Sequence, residues 1–154
     1  MPLTLDETDR KILRLLQANS KQTSAEIADK VGLSQTPCLR RIRNLEQAGV
    51  IDKYVAVLSP EQLGYTMTFF TRVWLTGQDS ETVDQFTSDI QRLTNVVECH
   101  LMAGDCDFLL RILAKDIEDY RKFQIDHLNS LPGVQSVKTE IPMQRIKYSI
   151  EVPI

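Results

Sequence analysis

The chain has 154 residues, 42% of them hydrophobic and 25% charged, which suits a globular protein of one medium domain or two small ones. No apolar run is long enough to span a bilayer, and the N-terminal MPLTLDETDR is too acidic for a signal peptide, so a cytoplasmic protein without a membrane partner is expected. A net charge of −3 argues against nucleic acid, but its distribution does not, because residues 1–58 carry +2 and residues 59–154 carry −5.

Asp6 begins the first helix, with Asp9 in its first turn and Ile12, Leu13 and Leu16 as the buried stripe, and the helix runs out near Asn19. Thr23-Ser24-Ala25-Glu26 reads as a capping box for a short helix to Lys30, with Ile27 and Val31 inward. Gly32 then permits a sharp turn. Ser34 is placed to cap a third helix through its hydroxyl, Pro37 falls in the tolerant first turn, and Gly49 suits the left-handed position beyond the end. Leu39, Ile42 and Leu45 give this helix a narrow apolar stripe, while Arg40 and Arg43 share another face. Two helices joined by a short glycine-containing turn, covered by a preceding helix, form a helix-turn-helix unit. Polar groups at the N-terminus of the third helix and arginines along its side suit a DNA major groove; they also suit a solvated amphipathic helix.

Val50–Leu58 is apolar and β-branched and reads as an extended linker or wing. Ser59-Pro60-Glu61 starts a short turn that Gly64 ends. From there the period becomes strand-like. Met67, Phe69, Val73 and Leu75 share one face; Thr66, Thr68, Phe70, Arg72 and Trp74 share the other, too aromatic for a fully solvated sheet and too polar for a core. Ser80 is placed to cap a helix with the stripe Val83, Phe86, Ile90 and Leu93. Strands follow at Val96–Ala103 and Phe108–Ala114, joined through Gly104-Asp105. Asp116 caps a helix carrying Ile117, Tyr120, Phe123 and Leu128, and Leu131-Pro132-Gly133 stops it. The last strand starts near Val134, with Val137, Thr139, Ile141 and Met143 in one phase, then Ile146, Tyr148 and Ile150 in the other, as if bent near Pro142.

The order is β-α-β twice, so the expected fold class is α+β. A winged helix-turn-helix domain (1–50) and a linker strand or wing (51–63) precede a ferredoxin-like βαββαβ domain (64–154) with an antiparallel sheet and helices on one face. The uncovered face needs a partner, which predicts at least a homodimer.

Three segments, TPCLRRIRNLEQAGVI, ECHLMAGDCDFLLRI and LPGVQSVKT, resemble in order and separation the leucine-responsive/AsnC (Lrp/AsnC) family of transcription regulators. The resemblance spans about residues 5–152 and is nearest the leucine-responsive branch. It implies a RAM/ACT-like second domain, dimers commonly assembled into octameric rings of four, bending or wrapping of DNA, and an amino-acid effector bound between dimers near the Gly-Asp turn. No other cofactor is implied.

Ser34, Gln35, Thr36, Pro37 and Arg40 are the leading candidates for DNA contact, followed by Arg41, Arg43 and, from the wing, Lys53. Arginine pairs bidentately with guanine and glutamine with adenine, each worth about 1–3 kcal/mol of discrimination, whereas Ser34 and Thr36 suit phosphate. Arg41 or Arg43 also has an alternative use, holding Glu46 or Asp52 inside the domain. Two recognition helices per dimer predict a pseudo-palindromic double-stranded operator. For the effector, the resemblance assigns Leu101, Met102, Ala103 and Gly104 to the wall and Asp105 and Asp107 to polar contacts, with Thr139 as a contributor. The alternative is an ordinary hairpin turn that uses Asp for its geometry.

Cys38, Cys99 and Cys106 lack zinc-ribbon spacing and read as reduced, mostly buried thiols, with Cys106 in a turn the one open to redox chemistry. Cys99 and His100 point to opposite faces of a strand and do not chelate one metal ion. His100 and His127 lie on different elements, and no nucleophile–base pair or phosphate loop accompanies them, so no enzyme activity is expected. The leading expectation is a sequence-specific transcription regulator modulated by an amino acid such as leucine or methionine. The alternative is a nucleoid-type protein that organises DNA with weak sequence preference and no effector.

Overall fold

The structure, a computed structural model, describes residues 4–154, so the first three residues of the expected helical domain lie outside it. Two compact units emerge. One takes in the chain up to Val57 together with Lys147–Ile154; the other is Leu58–Ile146. The last eight residues therefore fall with the helical unit, not with the sheet unit to which the sequence pattern assigns them.

In the helical unit, α1 (Glu7–Ala18) and α2 (Ser24–Val31) each start with a complete capping box, Asp6 with Asp9 and Thr23 with Glu26. The third helix, α3, spans Gln35–Gln47. Gly32 and Gly49 take φ of +71° and +70°, the left-handed conformation, expected of Gly49 beyond the end of α3 and, at Gly32, the form the sharp turn takes. Ile12, Leu13, Ile27, Ala28, Cys38, Ile42 and Leu45 form the core. The buried stripe of α3 is thus Cys38, Ile42 and Leu45, a true helical spacing, while Leu39 is only half-buried. Three helices this short cannot stand alone and fold as a unit. The linker 52–58 has no helix or strand of its own within the chain.

The sheet unit is built from β1 (Met67–Leu75), α4 (Ser80–Ile90), β2 (Val96–Leu101), β3 (Phe108–Ala114), α5 (Ile117–Phe123) and β4 (Val134–Glu140). All pairings are antiparallel, in the order β2-β3-β1-β4. Asp79, not Ser80, caps α4, its carboxylate accepting from Thr82 N at 3.0 Å. Asp116 caps α5, which continues as one π-helical turn, Gln124–Leu128. Ile117, expected inward, is exposed, while Tyr120, Phe123 and Leu128 are buried against Phe69, Val73, Leu110 and Ile112. Tyr120 stacks on Phe69 with ring centroids 3.9 Å apart. Its hydroxyl also links Thr71 Oγ1 at 2.9 Å and Thr139 Oγ1 at 2.5 Å.

Regular pairing on β4 stops at Glu140 opposite Phe70. Continuing that register places Pro142 opposite Thr68, and a proline has no N–H to donate. The second alternating phase at Ile146, Tyr148 and Ile150 is accordingly not part of this sheet. Before β4, Gly133 has φ +80°, and a Cβ there would sit 2.8 Å from Thr82 Cγ2. Its carbonyl accepts from Thr76 N at 2.8 Å.

Replacing Tyr120 by Phe keeps the ring and removes the hydroxyl, leaving the fully buried Thr71 hydroxyl without that partner. The expected cost is about 1–3 kcal/mol, read as a lower urea midpoint at unchanged slope.

Candidate nucleic-acid interface and effector turn

The N-terminal end of α3 is open. Ser34, Gln35 and Thr36 are exposed and Pro37 is half-buried. Ser34 occupies the N-cap position with extended backbone, but its hydroxyl makes no capping bond, contrary to the expectation for it. An exposed hydroxyl and free first-turn N–H groups at a helix N-terminus form a ready phosphate contact. Gln35 Nε2 lies 3.4 Å from Ser24 Oγ, so it touches the start of α2.

The three arginines of α3 differ. Arg40 and Arg43 are exposed and form no ion pair among the described residues. Arg41 is half-buried, and its Nη1 donates to Asp6 Oδ2 and Asp9 Oδ1, both at 2.8 Å. These carboxylates belong to the capping box of α1. Arg41 therefore commits its Nη1 inside the unit and pins α3 to α1, the internal use weighed for it as the alternative to DNA contact. Its partners are Asp6 and Asp9, and not the Glu46 or Asp52 weighed from sequence. Glu46 is instead held by Tyr54, whose hydroxyl donates to Oε1 at 2.9 Å. Desolvation, reinforced by Glu46, pushes that phenol up to about 12. Lys53 is exposed on the linker, with no wing hairpin formed around it.

In the sheet unit, the turn after β2 is tied to the end of β1. Met102 N donates to Asp107 O at 2.9 Å, and Asp107 N to Val73 O at 3.0 Å. Asp107 Oδ2 accepts from Leu75 N at 2.7 Å and Oδ1 from Gln78 Nε2 at 2.8 Å. Trp74 Nε1 donates to Asp105 O at 2.6 Å. Both oxygens of Asp107 are thus committed to holding the turn. Asp105 is the open carboxylate, its side chain 82% exposed and 4.0 Å from Arg72 Nη1. Trp74, Gln78 and Arg72 were not found by motif reading; only the odd aromatic-polar face of β1 marked two of them. Leu101, Met102, Ala103 and Gly104 are exposed beside the turn and enclose nothing by themselves.

Thr139 does not join this group within one chain. It pairs with Thr71 and faces the helix-covered side, bonded to Tyr120. Cys106 is buried rather than open in its turn, and Cys99, expected among buried thiols, is exposed. Among the described residues no three of His, Cys, Asp and Glu converge as metal ligands, and no helix is long and apolar enough to cross a membrane.

The uncovered sheet face carries half-buried Phe70, Trp74, Leu109 and Leu113 between charged rows. Glu98 Oε1 meets Arg111 Nη2 at 2.6 Å, and this partner holds the Glu98 carboxyl below its usual range. Glu140 Oε1 lies 3.5 Å from Arg72 Nη2 and 3.9 Å from Lys138 Nζ.

Comparison with known proteins agrees with this arrangement. A winged helix-turn-helix DNA-binding model matches residues 5–52, and an Lrp/AsnC ligand-binding domain model matches residues 68–152. The chain is 38% identical to the transcriptional regulator AzlB of Bacillus subtilis, over 100% of this chain and 98% of that protein. It is 39% identical to the leucine-responsive regulatory protein of Escherichia coli K12, over 94% of this chain and 88% of that one. The crystal structure of a Neisseria meningitidis transcriptional regulator, NMB0573, in complex with L-Met superposes with a TM-score of 0.93 at 35% identity, covering 97% of each chain.

The Arg41 pin has a pH signature. The backbone N–H of Asp9 and then Arg41 hold Asp6 below its ordinary 3.8, so its contribution is present above that value and lost as pH falls through the folded one. Thermal melts from about pH 5 downward are expected to fall less steeply in Arg41→Ala than in the native chain, because one of the two causes has been removed.

Proposed function

Since the chain belongs to the Lrp/AsnC family of transcription regulators, we propose that it binds pseudo-palindromic DNA through α3 as a homodimer, with an apolar amino acid modulating binding from the Gly104-Asp105 turn. The observation that carries the DNA half is the division of labour on α3: Arg41 is pinned to α1 while Arg40 and Arg43 face outward beside the open N-terminal turn. Arg40 and Gln35 are the base-reading candidates, with Arg43, Ser34, Thr36 and Lys53 toward phosphate and Pro37 shaping the first turn.

The effector half rests on the pinned turn. A turn fixed by five hydrogen bonds offers a preformed ledge, and preformed geometry lowers the ordering cost of binding. Asp105 is the carboxylate for the ligand's ammonium, and Asp107 acts indirectly by holding the turn. Because Leu101 and Met102 stand exposed, a neighbouring copy has to close the pocket, so binding and assembly beyond the dimer, to an octamer, are linked. Methionine and leucine are the first effectors to test: the Neisseria relative was crystallised with L-Met and the Escherichia coli relative is leucine-responsive by name. The dimer itself uses the uncovered sheet face, where Phe70, Trp74, Leu109 and Leu113 need cover. Because its proposed partner is DNA, the chain is assigned to the cytoplasm.

Thermal denaturation with each of L-leucine and L-methionine is expected to raise the midpoint, by about 2.7 kcal/mol of stabilisation at a hundredfold excess over Kd. Asp105→Ala is expected to abolish the shift in a dimer that still folds; a shift with neither amino acid overturns the effector assignment. Arg40→Ala is expected to cost about 1–3 kcal/mol on a selected operator and less on random duplex. Equal losses on both make Arg40 a phosphate contact, and a steep salt dependence without sequence preference favours the DNA-organising alternative.

A further inference from the structure

The chain crosses between its two compact units twice, once after Val57 and again after Ile146. The returning segment, Lys147–Ile154, is fastened to α1 by side chains. Gln17 makes a reciprocal pair with one residue: its Nε2 donates to Val152 O at 3.0 Å, and its Oε1 accepts from Val152 N at 2.7 Å. This is the bonding that a neighbouring strand supplies to a paired residue, provided here by one amide side chain. Arg14 Nε donates to Ile154 O at 2.7 Å, and Ile154 packs against the three-helix core.

A unit held by one linker reorients freely, whereas two attachments at separate points restrict it. The second attachment leads directly back to β4, the strand preceding the crossing at Ile146. We propose that Gln17 is a positioning residue: by clamping Val152 it makes the C-terminal segment a second mechanical link through which the state of the sheet unit reaches the DNA-binding helices. This rests on the reading that the two units are coupled in DNA binding. By reciprocity, DNA bound to the helical unit must then be felt in the sheet unit, so the link can be read without any effector.

The test is hydrogen exchange on the full-length protein, free and bound to a duplex selected from a random pool, in the native chain, in Gln17→Met and in Val152→Pro. The isosteric Gln17→Met removes both amide bonds; Val152→Pro removes the N–H from the other side and leaves α1 intact. In the native chain the Val152 amide is expected to be protected, and DNA is expected to slow exchange in β4. Both variants are expected to keep DNA affinity within about twofold while the response of β4 falls by about tenfold. A merely structural clamp would raise exchange in α1 yet leave the β4 response in place, and that result overturns the proposal. DNA binding by the native chain with no change at β4 also overturns it while leaving the DNA-binding reading intact; failure of the native chain to bind any selected duplex overturns both.

Discussion

The guanidinium of Arg41, held between Asp6 and Asp9, is the contact on which the helical unit turns. Both carboxylates already cap α1, so one cluster starts the first helix and anchors the third. Asp9 is 8% exposed, which makes its pairing with Arg41 necessary as well as favourable. With α3 fixed at this point, its helical period decides everything else about it. Cys38, Ile42 and Leu45 turn inward, and Arg40 and Arg43 have to turn out. The arginines are exposed because the core has taken the other face.

The sheet unit follows a comparable logic with a different outcome. Two helices cover one face of the four strands, and the described residues of this unit leave the other without a covering helix. Its ends are better kept than its face: Asp107 bonds the β2–β3 turn to Leu75 and Gln78, and Trp74 closes onto Asp105 O. The result is a hydrogen-bonded turn beside an open face, with an aromatic ring shared between them. A turn held by side chains and a face left open thus meet at one strand end.

What the sequence made legible was local. Capping boxes, left-handed glycines and alternation all depend on residues a few positions apart, and these identified every helix and strand in order. Three features depended on distant partners. An internal use for Arg41 or Arg43 was legible, but Asp6 and Asp9 as the acids of Arg41 were not, because they lie 35 and 32 residues away. The bonds of Asp107 to Leu75 and Gln78 were not legible because those residues are remote in the chain. The stretch beyond Pro142 alternated like a strand, but a strand also needs a neighbour, and its residues found α1 instead. The place of Thr139 has a simpler reason: the register that sets it opposite the buried Thr71 turns it toward Tyr120.

Gly133 shows how much can rest on a residue without a side chain. Its positive φ and the nearness of Thr82 leave no room for another residue, and it delivers the chain into β4 one position before Val134 meets Leu75. A slip of one residue would exchange the faces of the whole strand. Lys138 and Glu140 would enter the core, and Val137 and Thr139 would leave it. The turn therefore writes the pattern of charge along one margin of the open face, and any sheet that packs there has to match a pattern fixed by a backbone torsion in a loop.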